Sequence, residues 1–463
     1  MKKFFSTTLV TLSSITLLLS ACSSGTQTSA SPQPSQAAKA TEAAKPAEAP
    51  KAVATANPKK DMKGEITVWA FTDKAFQENA AAFNKEYPNI KVNTVIMDFG
   101  AMHDKLQTTL AAGTGAPDVA EVEQGQFPRY MTGNVLEDLL QPPYNAGQYK
   151  NDVSKYNWER WMSIDGKKLL GMPWDVTPTV YYYRSDIFEE LGLPSEPEDL
   201  GTYIQDSENF LNLVQKLKAS GKYAFEWKDG PIHWAGDEIG YFDSNMNWLR
   251  KADNEKLVKI LDVTKRGAQI GWAPHIGGLF DDKGKQMVKK GDLVGMAVGS
   301  WGAREIEKSF PELKGKWRAT NLPLDINYGG GGSSFVMPSQ SKNKEAAWAY
   351  IEWSMRSENA WKIWTNYSIE PGWKNIAALP WYSDHKSDYL GGQQDYKFYE
   401  SLVDKIPVRR LTPLDGKGWE IWLAGVLNAI EKNVDSKTTL QKIQDDAQSK
   451  LSPLVEKLKQ DTK

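Results

Sequence analysis

The apolar residues between positions 66 and 120 change their spacing several times, and each change predicts a new element. Residues 66–71 form a short run of β-branched and aromatic side chains, which predicts a strand. The following apolar residues recur every three or four positions, which predicts an amphipathic helix: Phe76, Ala80, Phe83 and Tyr87. Residues 90–95 then alternate as a second strand, a second helix ends near Gly113, and residues 116–120 start a third strand. Strands that alternate with helices predict βαβ units, a parallel sheet and a ligand site at its carboxyl edge.

Two further patterns support an α/β fold. Asp165 and Gly166 stand between the short apolar runs 161–164 and 168–170, which predicts a tight hairpin turn. Near the C-terminus, apolar residues recur at helical spacing and predict a long amphipathic helix: Leu440, Ile443, Ala447, Leu451, Leu454 and Leu458.

The N-terminus has the order of a secretory signal. Two lysines precede a mostly apolar stretch, residues 4–21, that ends in small residues before Cys22. Serine and threonine side chains interrupt the stretch, which makes it a poor transmembrane helix. Residues 19–22 resemble the lipobox of bacterial lipoproteins, in which the cysteine thiol receives a diacylglyceryl group and becomes the new N-terminus. We therefore expect residues 1–21 to be a signal peptide and Cys22 to be the lipid attachment. The alternative is a signal peptide cut at another bond.

The segment that follows, residues 22–63, has the composition of a tether. It is rich in Ala, Ser, Thr, Pro, Lys and Glu, and the first aromatic residue after it is Trp69. Such a segment cannot bury enough apolar surface to offset the loss of chain entropy. We expect it to be disordered and to hold a folded body at a distance from the lipid bilayer.

The composition narrows the classes of function. The chain has 463 residues, 40% of them hydrophobic and 25% charged, and a core of this size is expected to divide into more than one lobe. Its 56 basic and 58 acidic residues give a formal net charge of −2, so no basic footprint for a nucleic acid is present. One cysteine and four histidines cannot supply a disulfide or a Cys/His zinc site. Tryptophan is the unusual residue, with 18 copies.

Three segments of the chain from Gly64 onward resemble one protein family. Residues 168–194 resemble the family's "GK-x-YG-x-P … YN-x-D … GL-P" crossover segment. Residues 290–301 resemble its "G-x-x-AM-x-x-GSW" strand and loop, and residues 329–348 resemble its second crossover and the helix after it. The family is that of the family 1 extracellular solute-binding proteins, the receptors of bacterial carbohydrate ABC importers.

The resemblance implies a two-lobed periplasmic-binding-protein-like fold of the α/β class, with hinge crossovers and a cleft between the lobes. Lobe 1 is expected to hold residues 64–175 and about 333–375, and lobe 2 residues 176–332 and about 376–463. It also implies a monomer without cofactor or metal that binds carbohydrate and delivers it to ABC permease subunits. With the lipid anchor, the protein would face the extracellular side of a cell membrane of the Gram-positive type.

The expected hinges contain residues suited to that role. Pro173 and Pro178 bracket the first crossing with fixed φ, and the glycines of residues 329–332 can absorb large changes in φ and ψ at the second. A third crossing is expected near residues 373–380. The glycine run lacks the Gly-Lys-Ser/Thr ending of a phosphate loop, which disfavours a nucleotide site.

The binding candidates follow from the chemistry of a sugar. A sugar ring has apolar C–H faces and a belt of hydroxyl groups, so a receptor needs aromatic platforms and side-chain oxygen acceptors. Residues of these types occur at the ends of predicted strands, at the first hinge and in loop-like segments. The ligand-binding candidates are Phe71, Asp73, Glu123, Gln124, Trp174, Asp175, Trp234, Trp301, Trp373 and Trp419. For Trp301 and Trp419 the family resemblance implies an aromatic platform.

Other interpretations remain open. Core packing explains any single tryptophan, and helical spacing predicts a core position for Trp348. A secreted polysaccharide-acting enzyme would also be rich in aromatic residues, but no carboxylate pair stands out and Ser300 lacks the spacing of a nucleophile elbow. A receptor for a non-sugar solute, such as a peptide or a polyamine, is the third possibility.

Overall fold

The computed structural model of the chain describes residues 61–278 and 280–461. The expected signal peptide, Cys22 and the tether up to residue 60 lie outside the described residues. The described residues belong to one compact unit, Val53–Lys463. Within them, no helix has both the length and the apolar character needed to cross a bilayer.

The strands of the described residues form two sheets. They are β1 Gly64–Ala70, β2 Ile90–Ile96, β3 Val119–Glu123, β4 Met172–Pro173, β5 Thr179–Arg184, β6 Gly295–Gly299, β7 Trp317–Thr320 and β8 Ser333–Val336. The first sheet has the strand order β2-β1-β3-β8-β4, and the second has the order β6-β5-β7.

The helices cover both sheets. They are α1 Asp73–Glu86, α2 Phe99–Ala112, α3 Lys155–Glu159, α4 Ser185–Glu190, α5 Pro197–Tyr203, α6 Ser207–Ala219, α7 Gly230–Ile239, α8 Glu255–Ile270, α9 Asp282–Lys290, α10 Gly302–Ser309, α11 Lys344–Arg356, α12 Glu358–Thr365, α13 Lys374–Ala377, α14 Pro380–Ser383, α15 Asp395–Val403, α16 Asp415–Lys432 and α17 Ser436–Asp461. Short 3-10 turns occur at Phe127–Tyr130, Ala146–Asp152 and Pro311–Leu313.

The first sheet begins as the apolar spacing predicts. Strands β1, β2 and β3 are parallel and are joined by α1 and α2, and the inward side chains Ile66 and Val68 of β1 are fully buried. Strand β3 starts at Val119, three residues later than predicted. Pro117 has no N–H to donate to a ladder. The Asp118 carboxylate instead accepts the Thr67 amide of β1 at 2.9 Å.

The prediction of a parallel sheet is wrong for the rest of the molecule. Strand β8 runs antiparallel to both β3 and β4, and all pairs of the second sheet are antiparallel. The reason is connectivity: the chain enters β8 from the second sheet and not through a βα unit of its own sheet. Among the strands of the described residues, the βαβ pattern therefore holds only for β1, β2 and β3.

The second sheet is buried on both faces. All six residues of β5 are buried, and its four central residues alternate between two hydrophobic clusters. Tyr181 and Tyr183 face the large cluster shared with the first sheet, whereas Val180 and Tyr182 face a smaller cluster with Trp317. Successive side chains of β5 thus point to opposite faces of the sheet, as expected of a strand.

Two segments of the chain link the two sheets, and a third segment lies beside them. Residues 174–178 join β4 to β5, and residues 321–332 join β7 to β8. Pro178 pairs with Gly329 of the second crossing, and Asp175 pairs with Pro371 of the segment before α13. The crossings predicted near residues 175–178 and 328–334 are thus confirmed as the links between two sheets.

The hairpin and the C-terminal helix are also confirmed. The Gly166 amide donates to the Ser163 carbonyl at 2.8 Å, and Gly166 has φ 70°, as a tight turn requires. In α17 five of the six predicted apolar positions are buried, whereas Leu454 is exposed.

Candidate functional site

A cavity of about 590 Å³, called the inter-sheet cavity below, lies beside the crossing segments. Residues within β3 and after β1 and β4 line it from the first sheet, and the start of α10 lines it from the second. Five of the ten ligand-binding candidates line it: Phe71, Glu123, Trp174, Asp175 and Trp301. Another cavity, of about 410 Å³ beside α17, is lined by none of the ten.

Phe71 and Phe99 form the aromatic wall of the inter-sheet cavity. Their ring centroids are 5.0 Å apart with an interplanar angle of 79°, an edge-to-face pair. Behind the wall, the Nδ1 atom of the buried His103 lies 2.7 Å from the Phe99 carbonyl oxygen. Burial lowers the pKa of His103, so the neutral ring donates from Nδ1 and accepts the Glu123 amide at Nε2. Phe99 is 42% exposed and offers apolar surface to a ligand.

Glu121 is a buried carboxyl group that supports this wall. It accepts hydrogen bonds from the Phe71 amide at 3.0 Å, the Thr72 amide at 3.1 Å and the Thr72 hydroxyl at 2.8 Å. Burial raises the pKa of Glu121 to about 8, although the three hydrogen bonds oppose that shift. Glu121 therefore fixes the backbone that carries Phe71 and titrates near neutral pH.

Glu123 ends β3 and Gln124 follows it, and the two side chains differ in their surroundings. Glu123 lines the cavity, and its Oε2 atom accepts the Gly125 amide at 2.7 Å. Burial raises the pKa of Glu123 to about 7. Gln124 is buried, donates to the Gly329 carbonyl at 3.2 Å and accepts from Arg160 at 3.1 Å. Glu123 is thus placed to meet a ligand, whereas Gln124 ties β3 to the second crossing.

Trp174 lies mostly in the core of the first sheet. It is 1% exposed, and its ring packs 5.3 Å from Phe76, 5.2 Å from Phe335 and 4.9 Å from Trp364, measured between centroids. It still contributes to the lining of the inter-sheet cavity. The structure therefore places Trp174 as part of the cavity floor and not as an open platform.

Asp175 joins two of the crossing segments. Its Oδ1 atom accepts the Ser333 amide, and its carbonyl accepts Arg160 Nη2 at 2.7 Å. Burial raises the pKa of Asp175 to about 6, while the nearby Arg160 charge opposes the shift. A carboxyl group at this point can accept a hydrogen bond from a ligand that enters the cavity.

Arg160 is the buried cation behind the cavity. It has no exposed surface, and its Nη1 atom donates to the Gly331 carbonyl at 3.0 Å as well as to Gln124. Its Nη2 atom donates to the Asp175 carbonyl. Arg160 therefore links the first crossing, the second crossing and β3 through one planar group.

Trp301 faces the cavity from the second sheet. It follows β6, precedes α10 and is 37% exposed. Its Nε1 atom donates to the Gly330 carbonyl at 3.0 Å, which fixes the indole against the second crossing. The Trp301 side chain is therefore fixed by a hydrogen bond and partly exposed to the cavity.

Two polar contacts join the two sides of the cavity. Arg304 of α10 donates to the Tyr367 carbonyl at 3.1 Å, and its guanidinium carbon lies 5.2 Å from the Tyr367 ring centroid. The Ser300 hydroxyl donates to Glu370 at 2.8 Å. Burial raises the pKa of Glu370 well above its usual range.

Two buried polar atoms of the lining residues lack a hydrogen-bond partner in the described part of the chain. They are Trp174 Nε1, a donor, and Thr177 Oγ1, which can donate and accept. Most buried polar groups in proteins are hydrogen-bonded. Both residues contribute to the lining of the inter-sheet cavity.

Three tryptophan candidates do not line the inter-sheet cavity. The prediction of a loop position for Trp234 is wrong, because it lies in α7 and packs 5.1 Å from the Phe225 ring. Trp373 is fully buried and donates to the Pro173 carbonyl at 3.0 Å. Trp419 lies in the first turns of α16, 38% exposed and 4.8 Å from the His233 ring. Asp73 is the first residue of α1, and its side chain lies outside the described residues.

Several lining residues are not among the candidates of the sequence. Glu121 carries a readable signal, because a glutamate inside the buried strand β3 must have polar partners. Phe99 and Arg304 carry none, since an aromatic residue or a cation at a helix start is common on any surface. Arg160 lies 171 residues from Gly331 of the second crossing, so only the fold reveals that contact.

Comparison with known protein families gives a match over most of the folded part. The family model of the bacterial extracellular solute-binding proteins matches residues 78–387. An arabinooligosaccharide-binding protein of Bacillus subtilis is 28% identical over 331 residues, which are 67% of this chain and 74% of that protein. A lactose-binding protein of Rhizobium radiobacter is 27% identical over 314 residues, 61% of this chain and 68% of that protein.

Solved structures resemble this fold at low sequence identity. An extracellular solute-binding protein of family 1 superposes with a TM-score of 0.71 at 19% identity and covers 83% of this chain and 99% of that chain. The sugar-binding protein MalE of Xanthomonas citri gives 0.68 at 20% identity, with 86% and 99% covered. The galacto-N-biose-/lacto-N-biose I-binding protein of Bifidobacterium longum gives 0.66 at 20% identity, with 83% and 96% covered. The chain therefore has the two-lobed fold of periplasmic binding proteins.

Proposed function

This chain belongs to the family of bacterial extracellular solute-binding proteins, and we propose that it captures a sugar or an oligosaccharide outside the cell and delivers it to the permease of an ABC importer. The names of its relatives support this class of ligand, since they include an arabinooligosaccharide-binding and a lactose-binding protein. The observation that carries the proposal is the lining of the inter-sheet cavity. There, exposed aromatic side chains from both sheets meet buried carboxyl groups and unpartnered polar atoms.

Each side of the cavity has a part in the proposed binding mode. The aromatic wall and Trp301 pack against the apolar faces of the sugar, one from each sheet. Glu123 and Asp175 accept hydrogen bonds from its hydroxyl groups. Because these residues come from both sheets, a bound sugar bridges them.

A sugar that bridges the two sheets would favour a closed form of the protein that the permease can recognise. Lobe 1 is proposed to comprise residues 64–175 and about 333–375, and lobe 2 residues 176–332 and about 376–463. A ligand that contacts both lobes binds the closed arrangement better than the open one and shifts the population toward it. Periplasmic binding proteins are known to close about a hinge around their ligands, and a closed surface is what we propose the permease recognises.

We place the protein on the outer face of the cell membrane, held by acyl chains on Cys22 and by the tether after it. The lipobox-like residues 19–22 support this placement, and more than one acyl chain on a residue gives stable anchoring. Mass spectrometry of the protein from membranes should find a diacylglyceryl-modified Cys22 at the N-terminus. A Cys22→Ser variant should be released into the medium, and an unmodified wild-type N-terminus would contradict the anchor.

Calorimetry against a panel of neutral oligosaccharides tests the proposed function. We expect at least one glycan to bind with one-to-one stoichiometry, and chromatography of the mixture to show the glycan unchanged after incubation. Release of shorter products would favour the polysaccharide-acting enzyme. Binding of a peptide or a polyamine in place of any glycan would favour the receptor for a non-sugar solute.

A further inference from the structure

The ionisable side chains that line the inter-sheet cavity are mainly acidic. Four carboxyl groups line it, and they come from both sheets: Glu121, Glu123, Asp175 and Glu305. One basic residue, Arg304, is in the lining of the described residues. A ligand that enters the cavity therefore meets more acidic than basic groups.

The guanidinium groups of Arg304 and Arg160, which lie near the cavity, donate hydrogen bonds to protein oxygens. Arg304 donates from Nη1 to the Tyr367 carbonyl and lies over the Tyr367 ring. Arg160 has no exposed surface, and its two Nη atoms donate to Gly331, Asp175 and Gln124. Arg160 offsets part of the acidic field, but it cannot reach a ligand to form a bidentate pair with a carboxylate.

The cavity also disfavours the negative charge of its own side chains. Burial raises the pKa of Glu123 to about 7, and that of Asp175 to about 6, in spite of the nearby Arg160. A group that loses solvation on burial prefers its neutral form unless a partner compensates. A carboxylate brought in by a ligand would lose its hydration in the same place and would also face like charges.

We propose that the inter-sheet cavity selects uncharged sugars and rejects the corresponding uronic acids. This inference rests on the proposed sugar-binding function and narrows its ligand class. The acceptor oxygens suit it, since sugar hydroxyl groups donate to them. Glu123 Oε2 is engaged by Gly125, whereas its Oε1 atom accepts no hydrogen bond from the described part of the chain.

Matched ligands separate charge from shape. The neutral glycan that binds most tightly in the panel is compared with the same glycan in which one terminal unit is a uronic acid, and with the uronamide of that unit. The uronamide has the shape of the acid without its charge. At pH 7.5 we expect the acid to bind at least about tenfold more weakly than the uronamide, about 1.4 kcal/mol.

Variants link this difference to the cavity. In Glu123→Gln, the ratio of acid to uronamide dissociation constants should fall by at least about threefold, because one of the facing carboxyl groups is gone. In Glu456→Gln, which removes an exposed carboxyl on α17, the ratio should not change. Since the ratio compares two ligands on one protein, a general loss of affinity in Glu123→Gln cancels.

The outcomes distinguish this inference from the proposed function. If the acid binds as tightly as the uronamide or more tightly, charge selection is contradicted while sugar binding stands. If no glycan of the panel binds, neutral or acidic, the sugar-receptor function is contradicted and the inference falls with it.

Discussion

The tryptophans near the crossings differ in exposure, and their sequence context does not separate the buried from the exposed. Trp174 and Trp373 sit at the crossings but are buried in the core of the first sheet. Trp301 is one of the few large apolar side chains left exposed, and its indole N–H is already satisfied by Gly330. A fixed, partly exposed ring loses little conformational freedom when a ligand packs against it. We therefore expect Trp301 to contribute to ligand binding.

Replacing Trp301 tests this role. Trp301→Ala should weaken binding of the preferred glycan by about 2–4 kcal/mol, the range of a central aromatic anchor, as measured by calorimetry. Trp227→Ala is the matched control, because Trp227 is 38% exposed and also donates to a backbone carbonyl, that of Ile276, but does not line the cavity. Equal dissociation constants for wild type and Trp301→Ala would rule out the platform.

Glu121 makes the free energy of unfolding fall as the pH rises. Its pKa rises from 4.5 to about 8 in the fold, so between these values the folded chain binds more protons than the unfolded chain. The contribution is complete below pH 4.5 and is lost as the pH rises through about 8. Other buried acids with raised pKa values, such as Glu226, act in the same direction.

The variant Glu121→Gln isolates this group. Between pH 5 and 8.5 the free energy of unfolding in urea should fall by about 1–3 kcal/mol less in Glu121→Gln than in the wild type, since one pKa unit corresponds to about 1.4 kcal/mol. Glu456→Gln should keep the slope of the wild type. Parallel pH profiles for Glu121→Gln and the wild type would show that Glu121 does not titrate as described.

At the scale of elements, the crossing segments connect the two sheets and pack closely against each other. Gly331 and Gly332 have φ of 117° and 101°, which side chains rarely adopt. A Cβ atom on Gly332 would lie 2.7 Å from Arg160 Nη2. The glycine run is therefore needed for a left-handed backbone and for close approach of Arg160, in addition to any hinge motion.

Loss of Arg160 should loosen these crossings. Arg160→Met leaves the carbonyl groups of Asp175 and Gly331 buried without their donor, so we expect the free energy of unfolding in urea to fall by about 3–5 kcal/mol. Arg266→Met, which removes an exposed ion pair with Glu208, should leave it nearly unchanged. A loss in Arg160→Met no larger than in Arg266→Met would contradict the linking role.

The sequence predicts where helices and strands lie along the chain better than it predicts which of them pack together. Apolar spacing places β1, α1, β2 and α2 correctly, because each has one buried face with a regular period. Spacing along the chain cannot show that β8 joins the first sheet or that Trp234 is helical and buried, since both depend on residues distant in sequence. Five of the ten binding candidates line the cavity. Phe99 and Arg160 are not among the ten, because their positions near the cavity also depend on residues distant in sequence.

For the whole molecule, the two sheets and their crossings account for the proposed capture of a sugar. The aromatic wall belongs to the first sheet and Trp301 to the second, so a ligand can contact both only inside the inter-sheet cavity. The family match over residues 78–387 includes the crossings, Phe99 of the wall and Trp301. The family match thus includes residues from both sides of the inter-sheet cavity.

A crystal structure of the protein with its preferred oligosaccharide tests this account most directly. We predict a sugar ring packed on Trp301 and facing the aromatic wall, with a hydroxyl oxygen within about 3.2 Å of a Glu123 or Asp175 carboxyl oxygen. A glycan bound elsewhere, for example beside Trp419, with Trp301 untouched would contradict the account.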